Sequence, residues 1–227
     1  MQQENDVQHV FLVGAKSLGA YGGYETFVYK LTEHHQNKKN IKYHVACKAN
    51  GDGYMDETKL EGVTRINDHE FEFHNAHCFK IDVPQIGAAQ AIYYDIAALN
   101  ICCKYIKEHG IKHPIVYIMA CRIGPFAAYF HKKIHKLGGR VYLNPDGHEW
   151  MRAKWSAPIR KYWKISEQLM VKYCDLAVCD SVNIEKYIHK CYDGKGIRKK
   201  NPNTTFIAYG ADLTLSKLSD DDEKLTN

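Results

Sequence analysis

Short apolar runs at residues 10–13, 43–47, 63–66, 77–83, 115–119, 140–143, 176–179 and 205–208 alternate with segments of helical periodicity. This alternation constrains the chain more than any other feature. Short apolar runs suit strands buried on both faces of a parallel sheet, whose neighbours must be joined by crossover connections, usually helices. The order predicts an α/β fold with a doubly wound, mostly parallel, Rossmann-like sheet of about six or seven core strands. The clearest helix, 88–108, carries Ile92, Ile96, Leu99, Cys103 and Ile106 on one stripe and is closed by Gly110. Segment 126–137 runs to Gly138-Gly139, and 182–191 follows Ser181, a natural N-cap. With 227 residues, 45% of them hydrophobic, the chain can bury a sizeable core.

Ligands of open α/β sheets sit beyond the carboxyl ends of the strands, where this chain places Gly14, Arg122, Asp146 and Ser181. The first such end is the richest in signal. Gly14, Gly19, Gly22 and Gly23 follow the strand 10–13, and a helical stripe with Phe27, Val28 and Leu31 begins at Tyr24. A strand, a glycine-rich turn and a helix N-terminus together make an anion site, because first-turn N–H groups are free and the helix dipole favours negative charge. Gly14, Lys16, Gly22 and Gly23 are therefore the expected phosphate-binding residues. The plain alternative is an ordinary turn between strand and helix.

Two nucleotide motifs are excluded. A P-loop needs glycines where this chain has Val10 and Ala15, before Lys16-Ser17. The dinucleotide fingerprint fails at Lys16, and the next strand runs into Lys48 rather than an acidic residue. A net charge of +5 without a nucleic-acid motif gives no support for nucleic-acid binding. The eight cysteines fall mostly inside apolar patterns, without a C-x-x-C pair, which reads as reduced thiols in the cytoplasm. The polar start MQQENDVQHV leads into the first strand, so no secretory leader is expected. No metal is expected. His74 and His77 with Cys78, and His131 with His135, have ligand-like spacing but lack the further ligands of a closed site.

Two later segments carry chemistry. In 144–150, NPDGHEW, Asp146 follows a strand end and His148 and Glu149 come next. Three titratable groups in one loop suit proton handling or acceptor recognition, although Pro-Asp-Gly is also a common turn. Segment 151–173 holds six Lys or Arg against one Glu, with Trp155, Tyr162 and Trp163 among them. Such interleaving suits an anionic membrane surface, with Arg152, Lys154, Trp155, Arg160, Lys161 and Trp163 facing it. A solvated basic face with its aromatics in the core is the alternative. Arg122, just past a strand, reads as a cationic helper beside Lys16 or as one half of a surface ion pair.

Four segments, YGGYETFV, NPDGHEWMRAKW, CDSVNIEKYI and AYGAD, resemble in this order bacterial rhamnosyltransferases of the GT-B fold. These belong to the family-4-like glycosyltransferases of capsule and cell-wall polysaccharide synthesis. The resemblance runs from about Val7 to Asp212. It implies that residues 1–210 form the N-terminal, acceptor-side domain and that 211–227 begin the connection to a C-terminal donor domain, which would carry an E-x7-E-type motif of its own and is expected outside this sequence. It further implies rhamnose transfer from dTDP-rhamnose to a lipid-linked saccharide at the inner face of the plasma membrane, with no cofactor. Asp146, His148 and Glu149 are then the expected catalytic group, and Tyr21, Glu25, Arg122 and Trp150 the acceptor-binding group. Relatives often carry an aliphatic residue at the position of His148, which speaks against an indispensable base there. The half-enzyme is expected to be inactive alone. The alternative is a non-catalytic module that holds a lipid-linked saccharide or a partner transferase.

Overall fold

The computed structural model describes residues 7–19, 22–194 and 201–210. Among them the strands are β1 (Gln8–Val13), β2 (Ile41–Lys48), β3 (Thr64–Arg65), β4 (Glu70–Phe73), β5 (Ala76–Ile81), β6 (Ile115–Met119), β7 (Arg140–Asn144), β8 (Leu176–Cys179) and β9 (Thr204–Phe206). They form one sheet in the order β3-β4-β5-β2-β1-β6-β7-β8-β9. From β5 to β9 every pairing is parallel, while β3-β4 and β4-β5 are antiparallel. The fold is thus the doubly wound α/β architecture that the apolar runs predict.

β4 is the strand that the apolar runs do not reveal. Its Glu-Phe-Glu-Phe alternation buries Phe71 and Phe73 on one face only. A two-residue turn of His74 (φ 48°) and Asn75 (φ 58°) then reverses the chain into β5, as tight hairpins require.

The helices are α1 (Gly23–His35), α2 (Gln90–Glu108), α3 (Gly124–Lys136), α4 (Ala157–Tyr173) and α5 (Val182–Tyr192). Successive strand residues point to opposite faces, and β1 shows the consequence. Phe11 and Val13 pack into a core with Leu99 and Ile106 of α2, Ile134 of α3, Met170 of α4 and Ile188 of α5. Leu12 faces the other way, with Val45, Cys47 and Met119, towards Val28 of α1. α1 therefore covers one face and α2–α5 the other.

The order of strands fixes where a ligand can sit. From β1 the chain winds outwards through β2 and β5, then returns across β1 to continue through β6 and β7. The topology switches between β1 and β6, so the loops after these two strands diverge and leave a crevice at their carboxyl ends.

Candidate active site

A cleft of about 690 Å³ occupies that crevice, within the size range of small-molecule sites. Gly14, Lys16, Gly23, Glu25, Arg122, Asp146 and Glu149 all line it. The switch point thus brings residues from the first and the second half of the sheet to one place.

Gly14 ends β1 with φ +121°, and a Cβ there would overlap the Met119 carbonyl oxygen at the end of β6. The glycine is needed for the close approach of two strand ends. Its own carbonyl accepts from Arg122 Nη1 at 3.0 Å. The same nitrogen lies 3.2 Å from each oxygen of Asp95, a fully buried residue of α2. Arg122 is therefore in an ion pair, but not one at the surface. It is a largely buried pair with one edge on the cleft. Burial pushes the Asp95 carboxyl up to about 6 against the opposing pull of the guanidinium. Removing either partner would leave a buried charge uncompensated.

The glycine turn holds its anion already. Glu25, in the first turn of α1, folds back so that Oε1 accepts the Lys16 N–H at 2.9 Å. A Cβ on Gly22 would overlap its other oxygen. A helix N-terminus attracts any nearby carboxylate, and here the chain supplies its own. Gly22 makes room for Glu25, whereas Gly23 faces open space, with no atom within 4 Å of where a Cβ would stand. Lys16 reaches Asp52 Oδ2 at 2.6 Å, and Lys48 Nζ reaches the Asp52 carbonyl at 2.8 Å. Burial and the neighbouring Lys16 charge lower the pKa of Lys48. Two lysines thus converge on one end of the cleft.

The opposite wall is the loop after β7. Asp146 (φ 58°), Gly147 (φ 76°) and His148 (φ 58°) are consecutive left-handed residues, a conformation that costs a non-glycine residue on the order of 1 kcal/mol or more. The Asp146 amide is held by Asn144 Oδ1 at 2.9 Å. Its carboxyl is pushed up by burial and by Glu149, against Arg152, the Tyr24 hydroxyl and Arg122, which pull it down. Glu149 lines the cleft but is engaged. It accepts from Trp155 Nε1 at 2.8 Å and pairs with Arg152 at 2.8 Å and Lys154 at 3.4 Å.

His148 and Trp150 point elsewhere. The His148 ring lies 3.8 Å from that of Tyr187 on α5, and Trp150 Nε1 donates to the Tyr187 hydroxyl at 3.0 Å. Tyr187 and Tyr192 both donate to the buried Glu167 of α4. These two residues therefore anchor the loop to α4 and α5 and do not line the cleft.

The residues read as membrane-facing divide in two. Arg152, Lys154, Trp155 and Trp163 line the cleft, with the two indoles 6.2 Å apart. Arg160 and Lys161 are exposed on α4. Glu149 accounts for part of the division, since Trp155 donates to it and Arg152 and Lys154 pair with it while staying exposed. Tyr21 lies outside the described residues, as do the connection 211–227 and the last two residues of AYGAD. Tyr24 and Tyr209, which lie in two of the motif segments without an expected role, and Lys48, Asp52 and Tyr94, which lie outside those segments, also line the cleft. Tyr94 donates to the Ala15 carbonyl at 2.6 Å and Tyr209 packs on Phe27 at 5.2 Å.

Fold and cleft together define a doubly wound α/β domain with a charged, aromatic-lined cleft at its topological switch point. The chain belongs to the family described as domain of unknown function DUF1972, which matches residues 7–212. No curated protein matches it. Solved structures of similar fold also exist. They include the trehalose 6-phosphate synthase of Burkholderia multivorans (8% identity, TM-score 0.48, covering 90% of this chain and 48% of that one). The E. coli trehalose-6-phosphate protein bound with UDP-2-fluoro glucose is another (9%, 0.46, 88% and 48%). A third is Medicago truncatula UGT71G1 complexed with UDP-glucose (11%, 0.44, 92% and 53%). The chain spans about half the length of these structures.

Proposed function

We propose that this chain is the acceptor-side half of a glycosyltransferase that moves rhamnose from dTDP-rhamnose to a lipid-linked saccharide. The observation that carries the reading is the meeting of two motif segments, the glycine turn with α1 and the NPDGHEW loop, across one cleft at the switch point. Sugar transfer breaks the bond between the anomeric carbon and the diphosphate and forms one to an acceptor hydroxyl, whose proton must leave. Each need has a group facing it. Lys16, Lys48 and the open Gly23 end of α1 supply positive potential for the leaving diphosphate. Trp155 and Trp163 offer faces on which a sugar ring can pack. Asp146, half-buried and with a raised pKa, suits holding the acceptor hydroxyl and taking its proton.

The donor nucleotide would be read by a second domain, so this half is proposed to be inactive by itself. No described helix is long and apolar enough to cross a membrane. We place the acceptor's lipid beside exposed Ile159, Arg160 and Lys161, at the start of α4 near the tryptophan wall, with the protein peripheral on the inner face. Two observations favour a non-catalytic binding module instead: Glu25 already takes the Lys16 amide of the glycine turn, and Arg122 is committed to Asp95.

A panel of radiolabelled nucleotide-sugars offered to membranes with the full-length protein separates the readings. Label transferred to lipid-linked saccharide from dTDP-rhamnose supports the proposal. Saccharide binding without transfer from any donor supports the module.

A further inference from the structure

Away from the cleft, at the amino end of the sheet, α3 and the entry to β8 bring three ligand-type side chains together. His131 and His135 are one helical turn apart on α3, with ring centroids 4.0 Å apart. Asp175, in the turn between α4 and β8, places Oδ2 2.8 Å from His135 Nε2. One ligand atom from each of the three lies within 4.8 Å of the others. The carboxylate is held in place by the sheet edge. Asp175 N–H donates to the Val141 carbonyl at 2.8 Å, its Oδ2 accepts the Val141 N–H at 2.7 Å, and its carbonyl accepts from Asn203 Nδ2 at 3.1 Å. The two histidines border a surface groove with Ala128 and Tyr173.

We propose that His131, His135 and Asp175 form a zinc-type metal site with three protein ligands and an open fourth position. Residues i and i+4 share a helix face, so both imidazoles can turn to one ion, and the carboxylate is already at their side. Two imidazoles and one carboxylate suit Zn²⁺, Co²⁺, Ni²⁺ or Cu²⁺ better than Mg²⁺ or Ca²⁺, which take oxygen ligands. Three ligands plus solvent complete a tetrahedron and leave the groove side accessible. Lys132 and Lys136 flank the same groove, and their charges weaken cation binding, so the site is expected to be micromolar. The sequence offers only the His131–His135 pair. The third ligand lies 40 residues beyond His135 and is brought there by the return of α4 to the sheet.

The test uses the full chain, stripped with a chelator and titrated with Zn²⁺ by calorimetry and with Co²⁺ by visible absorption. Expected are one equivalent of Zn²⁺ and a four-coordinate Co²⁺ spectrum without a thiolate charge-transfer band. His131→Asn and Asp175→Asn should each weaken Zn²⁺ binding at least about tenfold. Asn at 175 keeps an oxygen for the Val141 N–H, and His131 is a helix position only half-buried, so the metal-free variants should melt as the wild type does. Absence of Zn²⁺ binding at tens of micromolar overturns the proposal, and His135–Asp175 is then an ordinary ion pair. So does a thiolate band, which would place the metal on cysteine, or equal affinity in wild type and both variants.

Discussion

The two turns that face each other across the cleft look alike in sequence and behave differently in structure. Both follow a strand end and both contain glycine. In the turn after β1, the glycines answer local crowding, since Gly14 yields to the Met119 carbonyl and Gly22 to the Glu25 carboxylate. In the turn after β7, the left-handed positions are given to Asp146 and His148 as well as to Gly147. Residues with side chains occupy a conformation that glycine would adopt at lower cost. Backbone strain of this kind gathers at functional sites, where the surroundings hold it in place. The comparison teaches that glycine density marks where the chain must fit itself. Of the strained polar residues after β7, Asp146 faces the cleft while His148 packs on Tyr187.

The comparison can be broken most visibly at Gly14. Gly14→Ala combines φ +121° with an overlap on backbone, and a loss of about 3 kcal/mol or more is expected in denaturant melts. A loss below about 1 kcal/mol would show that the strand ends can part easily. Gly23 is the opposite case within the same turn. With no neighbour within 4 Å, Gly23→Val should change stability by no more than about 1 kcal/mol. Under the proposed function, it should lower transfer by the full-length protein by about 10²-fold by obstructing the diphosphate. Unchanged transfer would remove α1 from the donor side.

A smaller effect distinguishes the two walls of the cleft by pH, with Asp52 of the loop after β2 standing beside Lys16. Burial raises the folded-state pKa of Asp146, so the native state keeps a proton that the unfolded chain releases near pH 4. The Asp146 contribution to stability should therefore fall as pH rises from about 4 through the raised value. Across the cleft, the hydrogen bond and charge of Lys16 lower the pKa of Asp52. Its contribution has the opposite sign, present above about pH 4 and lost as pH falls through the lowered value. Stability–pH curves of Asp146→Asn and Asp52→Asn, each subtracted from wild type, should slope in opposite directions. Parallel slopes would mean that the two carboxylates share one environment.

Much of the fold was legible because buried parallel strands need apolar runs, and such runs marked every strand except β4. β4 escaped because its signal is alternation, EFEF, followed by the two-residue His74-Asn75 turn, a pattern of period two and not a continuous run. The cleft was legible to the extent that loops at carboxyl edges could be located. What occupies each loop was not, because the decisive partners are distant in sequence. Asp95 lies 27 residues from Arg122, and Glu25 reaches back nine residues to the Lys16 amide. Trp155 and Trp163 carry a composition that suits a lipid surface, and the fold adds a contact that composition does not show, the hydrogen bond from Trp155 to Glu149 in the cleft wall. Composition states what a side chain could touch, and the crossing of α4 over the sheet decides what it does touch.

The central claim is that the Asp146 carboxylate, and not the adjacent imidazole of His148, serves sugar transfer in this cleft. The most direct measurement is the rate of the proposed rhamnose transfer from dTDP-rhamnose to membrane-borne acceptor by the full-length protein and two variants. Asp146→Asn keeps the shape and removes the charge, and a loss of about 10²–10³-fold is expected. His148→Leu acts on a ring that packs against Tyr187 outside the cleft. It should cost about 1 kcal/mol of stability and leave transfer close to the wild-type rate. Near-normal transfer by Asp146→Asn together with a dead His148→Leu would contradict the account.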